Sequence, residues 1–356
     1  MKYGHNIPDL LQFCLDFDTS HEASFHTDLC PAFSDVSHLN CPHHPNTSDL
    51  ENISSVASNS VSRNIGPIPL TNLNNTCYLN CLLQILFRIC NSFSFEGWNN
   101  HLLHICEPQH SECVEVLLFR KFLDLCKLHE ITRGDLIDFM DSLNKYNPFF
   151  NANVQRDAHE AFALLLESFN IVCRIPKLEN EFVDMPEFMD YYFCGVFKKT
   201  FTCIACHEDN IFFENFRNFI IQPSDDVVTF LGKQHSEKKK FTCDICKSQY
   251  LQTVHTKVQE FPRILMLQVS RFSESAHHRH RKNNKHMSVY DKVKFGFVEY
   301  ELFGLIEHHG VLVDEGHYTC FIFHEQCWFH CSDINIEKVL LPSSSQNTYL
   351  LFYFRK

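Results

Sequence analysis

The chain has 356 residues, a hydrophobic content of 44% and a formal net charge of −12. That length and composition allow one large or two ordinary folded domains with a sizeable core, and exclude a wholly disordered chain. The acidic balance counts against a general nucleic-acid binder, because neutralising phosphates needs clustered Lys and Arg.

Eighteen cysteines could suggest a disulfide scaffold. The chain is long for that class, however, and its opening stretch lacks the basic and apolar regions of a secretory signal. No run of about eighteen apolar residues is present, so no membrane span is expected. The expectation is a cytoplasmic or nuclear protein with reduced thiols. The N-x-S/T triplets at Asn46, Asn52 and Asn74 then carry no meaning.

Residues 1–64 are rich in Ser, Asn, His and Asp, have no sustained period, and read as a flexible N-terminal extension. Cys30, Cys41, His43 and His44 could hold a metal there, but no paired CxxC frame supports a site. From residue 65 onward the texture is that of a folded domain. CYLNCLLQILFRIC places Leu79, Leu82, Leu83, Leu86 and Phe87 at helical spacing. CVEVLLFRKFLDLCKL, ITRGDLIDFMDSLN and RDAHEAFALLLESFNIVC keep that period, so the chain to about residue 175 is mostly helical. Strand-like runs follow: YLQTVHTKVQEF, RILMLQVSRF, YELFGLIEHHGVLV, HYTCFIFHEQCWFHC and TYLLFYFR. Between them, residues 277–295 read as a solvated basic loop. Helices first and strands later predict an α+β fold rather than repeated βαβ units.

Two CxxC pairs, Cys203 with Cys206 and Cys243 with Cys246, flank residues 207–242. Such knuckles can converge four thiolates on one tetrahedral zinc. Four soft anionic ligands leave no open position, so the expected role is structural.

Cys77 sits where a polar stretch, TNLNNT, gives way to a helix. It is either a small buried hydrophobe or a nucleophile, for which a helix N-terminus and an imidazole would lower the thiol pKa. Among the histidines, His317 stands apart. Gly316 before it lets another backbone approach closely, and a strand follows that would hold the ring. Ser332 and Asp333 come one hairpin later. An early Cys, a late His and a polar orienting group after it is the order of a papain-like thiol hydrolase.

Several blocks, in register, resemble the ubiquitin-specific proteases. LTNLNNTCYLNCLLQ is similar to that family's Cys box, and RDAHEAF to its Gln-Asp-Ala-His-Glu-Phe block. The CxxC pairs resemble its zinc fingers and FPRILMLQVSRF its strand ending in Arg-Phe. YELFGLIEHHG, GHYTCFIF and WFHCSD together resemble its His box, and TYLLFYFR its closing strand. The resemblance covers roughly residues 66–354. It implies a hand: a helical thumb over about 66–175, zinc-tipped fingers over about 190–260 and a palm over about 261–356. It further implies a deubiquitinase that cleaves after the C-terminal glycine of ubiquitin, with ubiquitin and ubiquitinated proteins as partners and no catalytic cofactor. A catalytically inactive ubiquitin-binding relative, or a protease for another ubiquitin-like modifier, is the alternative.

By the same resemblance Cys77 is the nucleophile, His317 the base and Asn72 the oxyanion-hole amide. Asp157, Glu160, Gly316 and Tyr318 would lie along the ubiquitin tail, the two acids pairing with its arginines. Taken alone, Asn72 is a turn residue and the two acids a helix N-terminal charge pair. The chain also departs from the family. Asn74 replaces a usual Gly, and Asn is the best substitute if a left-handed conformation is needed. Arg156 replaces Gln, and Cys81 replaces Ser. Ser332 stands where most members have Asp or Asn; the expectation is that Ser332 orients His317, with Asp333 helping directly or through water.

Overall fold

The computed structural model describes residues 66–92, 114–172, 188–233, 235–273, 281–312 and 315–356. The N-terminal extension, with Cys30, Cys41, His43 and His44, lies outside the described residues.

The helical part comprises α1 (Cys77–Ser92), α2 (Val114–Lys127), α3 (Arg133–Tyr146) and α4 (Ala158–Val172), followed by the short α5 (Phe188–Phe193). α3 opens on a capping box, in which Thr132 and Asp135 satisfy each other's backbone amides. α1 is buried almost all round, because it lies between α4 and the main sheet. Phe119 and Phe122 on α2 pack on Phe169 of α4 and close the helical core.

The rest of the chain is β-rich. β1 (Gly195–Thr202) and β2 (Asp209–Phe216) form one long hairpin, and β4 (His235–Thr242) and β5 (Gln249–Glu260) another. The two pair side by side in the order β2-β1-β5-β4 and project as the fingers. Between them lie β3 (Phe219–Ile221) and α6 (Val227–Gly232), the latter capped by Asp226.

Chain order then continues through β6 (Ile264–Val269), β7 (Phe272–Ser273), β8 (Arg281–Lys282), β9 (Met287–Ser288) and β10 (Lys292–Phe295). The long β11 (Val298–Leu312) and β12 (Glu315–His324) come next, then β13 (Cys327–Ser332), β14 (Asn335–Val339), β15 (Ser344–Ser345) and β16 (Thr348–Arg355). The palm sheet runs β14-β13-β12-β11-β16-β6-β3. The last strand is therefore a central one, antiparallel to both β11 and β6.

The pleat of this sheet separates two cores. Ile306, Tyr318, Cys320 and Ile322 pack toward the helices, whereas Leu305 and Phe321 pack on the opposite side with Phe295 and Leu351. Buried Arg271 clamps the sheet, donating to the carbonyls of Thr348, Asn283, Lys285 and Ser345.

The helices-then-strands expectation holds. The basic stretch 277–295 does not read as it was expected to. From residue 281 it contains short strands, and Lys282, Met287, Val293 and Phe295 are buried. Its apolar residues fall at alternate positions, and the charged letters between them masked that period. HYTCFIFHEQCWFHC is two strands, as the hairpin between His317 and Ser332 requires. They are joined at Glu325 and Gln326, both with positive φ (45° and 61°), the twist that a two-residue hairpin turn requires.

Candidate active site

The incoming segment 66–76 is laid along α1 by side-chain bonds. Gln84 pairs with both backbone groups of Ile68, its Nε2 donating to the carbonyl and its Oε1 accepting from the amide at 3.3 Å. Asn74 takes the left-handed conformation at φ 79°, as the Gly-to-Asn departure anticipated. The chain then turns at Thr76, whose carbonyl accepts the first helical bond, from Asn80, at 2.9 Å. Cys77 is the first residue of α1.

Its sulfur lies against β12. The amides of Tyr318, Tyr78 and Cys77 itself lie close enough to Sγ to lower its pKa. The sulfur is thus in contact with the residue that follows His317. Burial nevertheless dominates and raises the thiol pKa, the Tyr318 amide lowers it, and the charge of Asp333 raises it again. This reverses the lowered pKa expected from a helix N-terminus: the Cys77 side is only 3% exposed, and desolvation outweighs the amides.

His317 Nε2 lies 2.9 Å from Ser332 Oγ. With that nitrogen engaged, Nδ1 is the ring atom left to receive a proton. Asp333 bonds elsewhere. It sits at φ 53° in the β13–β14 turn, and its Oδ2 accepts from Asn72 Nδ2 at 2.9 Å while Oδ1 accepts from Asn80 Nδ2 at 2.7 Å. Its carbonyl accepts from the Leu70 amide at 3.1 Å. Asp333 therefore ties the loop before Cys77, and α1 itself, to the palm. The direct help to His317 expected of it is replaced by this strut. Asn72 is held on both sides, its Oδ1 accepting from the Thr76 amide at 3.1 Å; one N–H of its amide goes to Asp333 and the other is free of these bonds.

Asp157 caps α4 by accepting from the Glu160 amide at 2.9 Å, and takes the Tyr349 hydroxyl at 2.5 Å. Both of its oxygens are occupied within the chain, in line with the charge-pair reading. Glu160 is shifted up, by burial first and then by the charge of Asp157. Arg156 lies over the Phe149 ring at 4.6 Å and donates to the Phe149 carbonyl. Tyr318 is fully buried beneath the site. Gly316, at φ 138°, lies against His309 and Gly310 of β11, and a Cβ would meet the His309 carbonyl at 2.3 Å. Its freedom thus serves strand packing beside His317.

Asn80 escaped the sequence reading. Its signal was a polar residue on an apolar helix face, one turn after the cysteine, buried to 4% exposure.

At the fingertip, Cys203, Cys206, Cys243 and Cys246 bring their sulfurs within 4.8 Å of one another. The cross-pairs Cys203–Cys246 and Cys206–Cys243 are 3.7 and 3.6 Å apart. Four sulfurs at zinc-bond length in a tetrahedron stand about 3.8 Å apart, so the cage fits that ion. The two knuckles share one design. His207 and Lys247 take φ 60° and 59°, and their amides donate back to the Cys203 and Cys243 carbonyls. Asn210 Nδ2 reaches Cys243 Sγ at 3.6 Å from outside the cage. The cluster could hold zinc as a closed structural site.

The model of the ubiquitin carboxyl-terminal hydrolase family matches residues 68–353. Ubiquitin carboxyl-terminal hydrolase 25 of Arabidopsis thaliana is 24% identical over 325 residues, covering 82% of this chain and 48% of that protein. Ubiquitin carboxyl-terminal hydrolase 21 of Bos taurus is 25% identical over 360 residues, covering 81% and 61%. Ubiquitin carboxyl-terminal hydrolase 36 of Drosophila grimshawi is 22% identical over 311 residues, covering 80% and 25%. The chain spans less than two thirds of the length of these relatives. Among solved structures, the SAGA DUB module of Ubp8, Sgf11, Sus1 and Sgf73 bound to monoubiquitin matches with a TM-score of 0.65 at 18% identity, over 87% of this chain and 74% of that one. The same module bound to ubiquitin aldehyde gives 0.64 at 16% identity, over 87% and 74%. At such identities the likeness is one of fold.

Proposed function

The chain belongs to the ubiquitin carboxyl-terminal hydrolase family, and on that premise we propose that it is a thiol-dependent deubiquitinase. It hydrolyses the bond after the C-terminal glycine of ubiquitin, releasing ubiquitin from lysine side chains of proteins or from ubiquitin chains. The observation that carries this reading is the Cys77 sulfur at the first residue of α1, near enough to the amide next to His317 to be influenced by it, with the His317 ring bonded to Ser332.

In this reading His317 Nδ1 takes the thiol proton, and the sulfur attacks the glycine carbonyl. The oxyanion is met by the free N–H of Asn72 and the amide of Cys77, and one such donor is worth about a hundred- to a thousand-fold in rate. The imidazolium returns its proton to the departing lysine amine. Water then cleaves the thioester and the thiol is restored. Ser332 keeps the ring in its tautomer, and Asp333 keeps Asn72 aimed. No step passes through the fingertip zinc.

The raised Cys77 thiol favours a second reading, a ubiquitin-binding relative that does not turn over. The test is ubiquitin bearing a C-terminal fluorogenic amide, incubated with the wild type and with Cys77→Ala. Signal from the wild type alone supports the enzyme. Binding without signal from either supports the second reading, and signal only with another ubiquitin-like modifier reassigns the substrate.

A further inference from the structure

The side of the palm turned away from the helices carries an unusual set of polar groups beside His317. Strand registers set His309 opposite His317 and Glu307 opposite Thr319, with His330 opposite Phe321 on the next strand. Side chains alternate across a sheet, so Glu307, His309, His317, Thr319, His330 and Ser332 share one face. Three imidazoles and one carboxylate lie on that face.

Hydrogen bonds give this set a direction. Lys282 Nζ on β8 donates to Asn347 Oδ1 at 2.7 Å, which orients the amide so that its Nδ2 donates to His309 Nδ1 at 3.1 Å. His309 therefore carries its proton on Nε2, which lies 2.9 Å from Thr319 Oγ1 and 3.4 Å from Glu307 Oε2. The Ser345 hydroxyl donates to Glu307 Oε1. Burial pushes the Glu307 carboxyl up, but the bonds from His309 and Ser345 pull it down, and the group is held below its ordinary value. Glu307 is thus a buried anion. The charged and titratable groups around it are His309 on its own strand, Lys282 on β8, Arg271 after β6, and His330 on β13. His317 lies near His330 and His308, and His308 in turn near Lys282 and His309.

The His317 ring is held by the Ser332 hydroxyl, which accepts a hydrogen bond but brings no charge. An imidazolium nonetheless forms during the proposed reaction. We infer that Glu307, held through His309, supplies the negative charge that stabilises the His317 imidazolium and offsets the Lys282 and Arg271 cations. It is a positioning residue, since it touches neither the thiol nor the substrate. A Gln at 307 would keep hydrogen-bonding capacity while leaving two buried cations unbalanced near His317. This inference rests on the reading of His317 as the base.

The test follows the His317 ring titration by NMR in the full chain carrying Cys77→Ser, with His317→Gln to assign the signal. Glu307→Gln should lower the His317 midpoint by about one pH unit, equivalent to a tenfold weaker imidazolium. With Cys77 intact, it should lower kcat about tenfold and leave KM unchanged. Adding Ser332→Asp to Glu307→Gln restores the charge next to the ring, and should return both the midpoint and kcat toward wild type. A midpoint that does not fall, or a double variant no better than Glu307→Gln, overturns the inference. Should Glu307→Gln not fold, the Glu307 side-chain carboxyl carbon is followed by NMR in the Cys77→Ser chain, and a signal with no inflection at the His317 midpoint overturns the inference equally. His317→Ala distinguishes the underlying reading: if that variant keeps full turnover, His317 is not the base, whatever Glu307 does.

Discussion

At the fingertip the amides of Cys206 and Ala205 aim at Cys203 and bring its thiol down to about 6, whereas in the cleft three amides aim at Cys77 and burial still holds its thiol above the ordinary value. The residue type is the same, but at Cys203 the amides outweigh burial and at Cys77 burial outweighs the amides. Within the cage Cys203 and Cys243 are lowered while Cys206 is raised to about 12, so a soft cation would have to displace a proton there. In the proposed reading, the raised thiol keeps Cys77 protonated until a substrate arrives. The two regions also differ in how they are assembled. Each knuckle is closed by its own turn, while the cleft depends on an aspartate meeting an amide 261 positions earlier in the chain.

Zinc removal gives the largest expected effect. Structural sites of this kind carry apparent binding free energies of about 10–16 kcal/mol, so Cys243→Ser should lose the metal and destabilise the fingers. Metal analysis of the wild type and the variant, with thermal melts, checks this; a metal-free wild type that melts cooperatively would remove the fingertip from the comparison. Next comes Cys77→Ala, for which turnover of the fluorogenic ubiquitin amide should fall on the order of 10⁶-fold, as for loss of a nucleophile elsewhere, while ubiquitin binding persists. Residual turnover near the wild-type rate would put the nucleophile at another cysteine.

Asp333→Ala and Ser332→Ala sharpen the division of labour inside the cleft. Asp333 accepts two charge-assisted bonds, each worth about 1.5–3 kcal/mol, so its loss should lower kcat about ten- to a hundredfold and reduce the melting temperature. Ser332 makes one neutral bond worth about 1 kcal/mol, so its loss should cost about fivefold in kcat and little stability. The reverse ranking would show that Asp333 is not the strut. Smallest is a pH effect. A raised thiol pKa means less thiolate near neutrality, so alkylation of Cys77 in the ubiquitin-free protein should stay slow at pH 7 and keep accelerating above pH 9. A rate that levels off below pH 8 would place the two thiol sites on the same electrostatic footing.

Much of this was legible in the chain, and the reason differs by region. The CxxC pairs announce their ligands because knuckle geometry is local, and TYLLFYFR was bounded correctly because its neighbours leave the pattern at both ends. α1 was legible from its apolar period, and Asn74 from its position in a loop that demands positive φ. The partner of Asp333 was not legible, since no local rule links a turn after β13 to Asn72 and Asn80. The alignment of Glu307 and His309 with His317 depends on strand register, which the long β11 run does not reveal. Nor does a helix N-terminus disclose how deeply its first side chain is buried, which is why the shift at Cys77 came out opposite to expectation.

One feature of the palm bears on the life of the molecule in a cell. β16 lies between β11 and β6, and Arg271 reaches the Thr348 carbonyl at its first residue. A nascent polypeptide still lacking residues 348–355 has a gap in the middle of its sheet, beside the hairpin that bears His317. The palm sheet therefore closes between β11 and β6 only once that segment has left the ribosome.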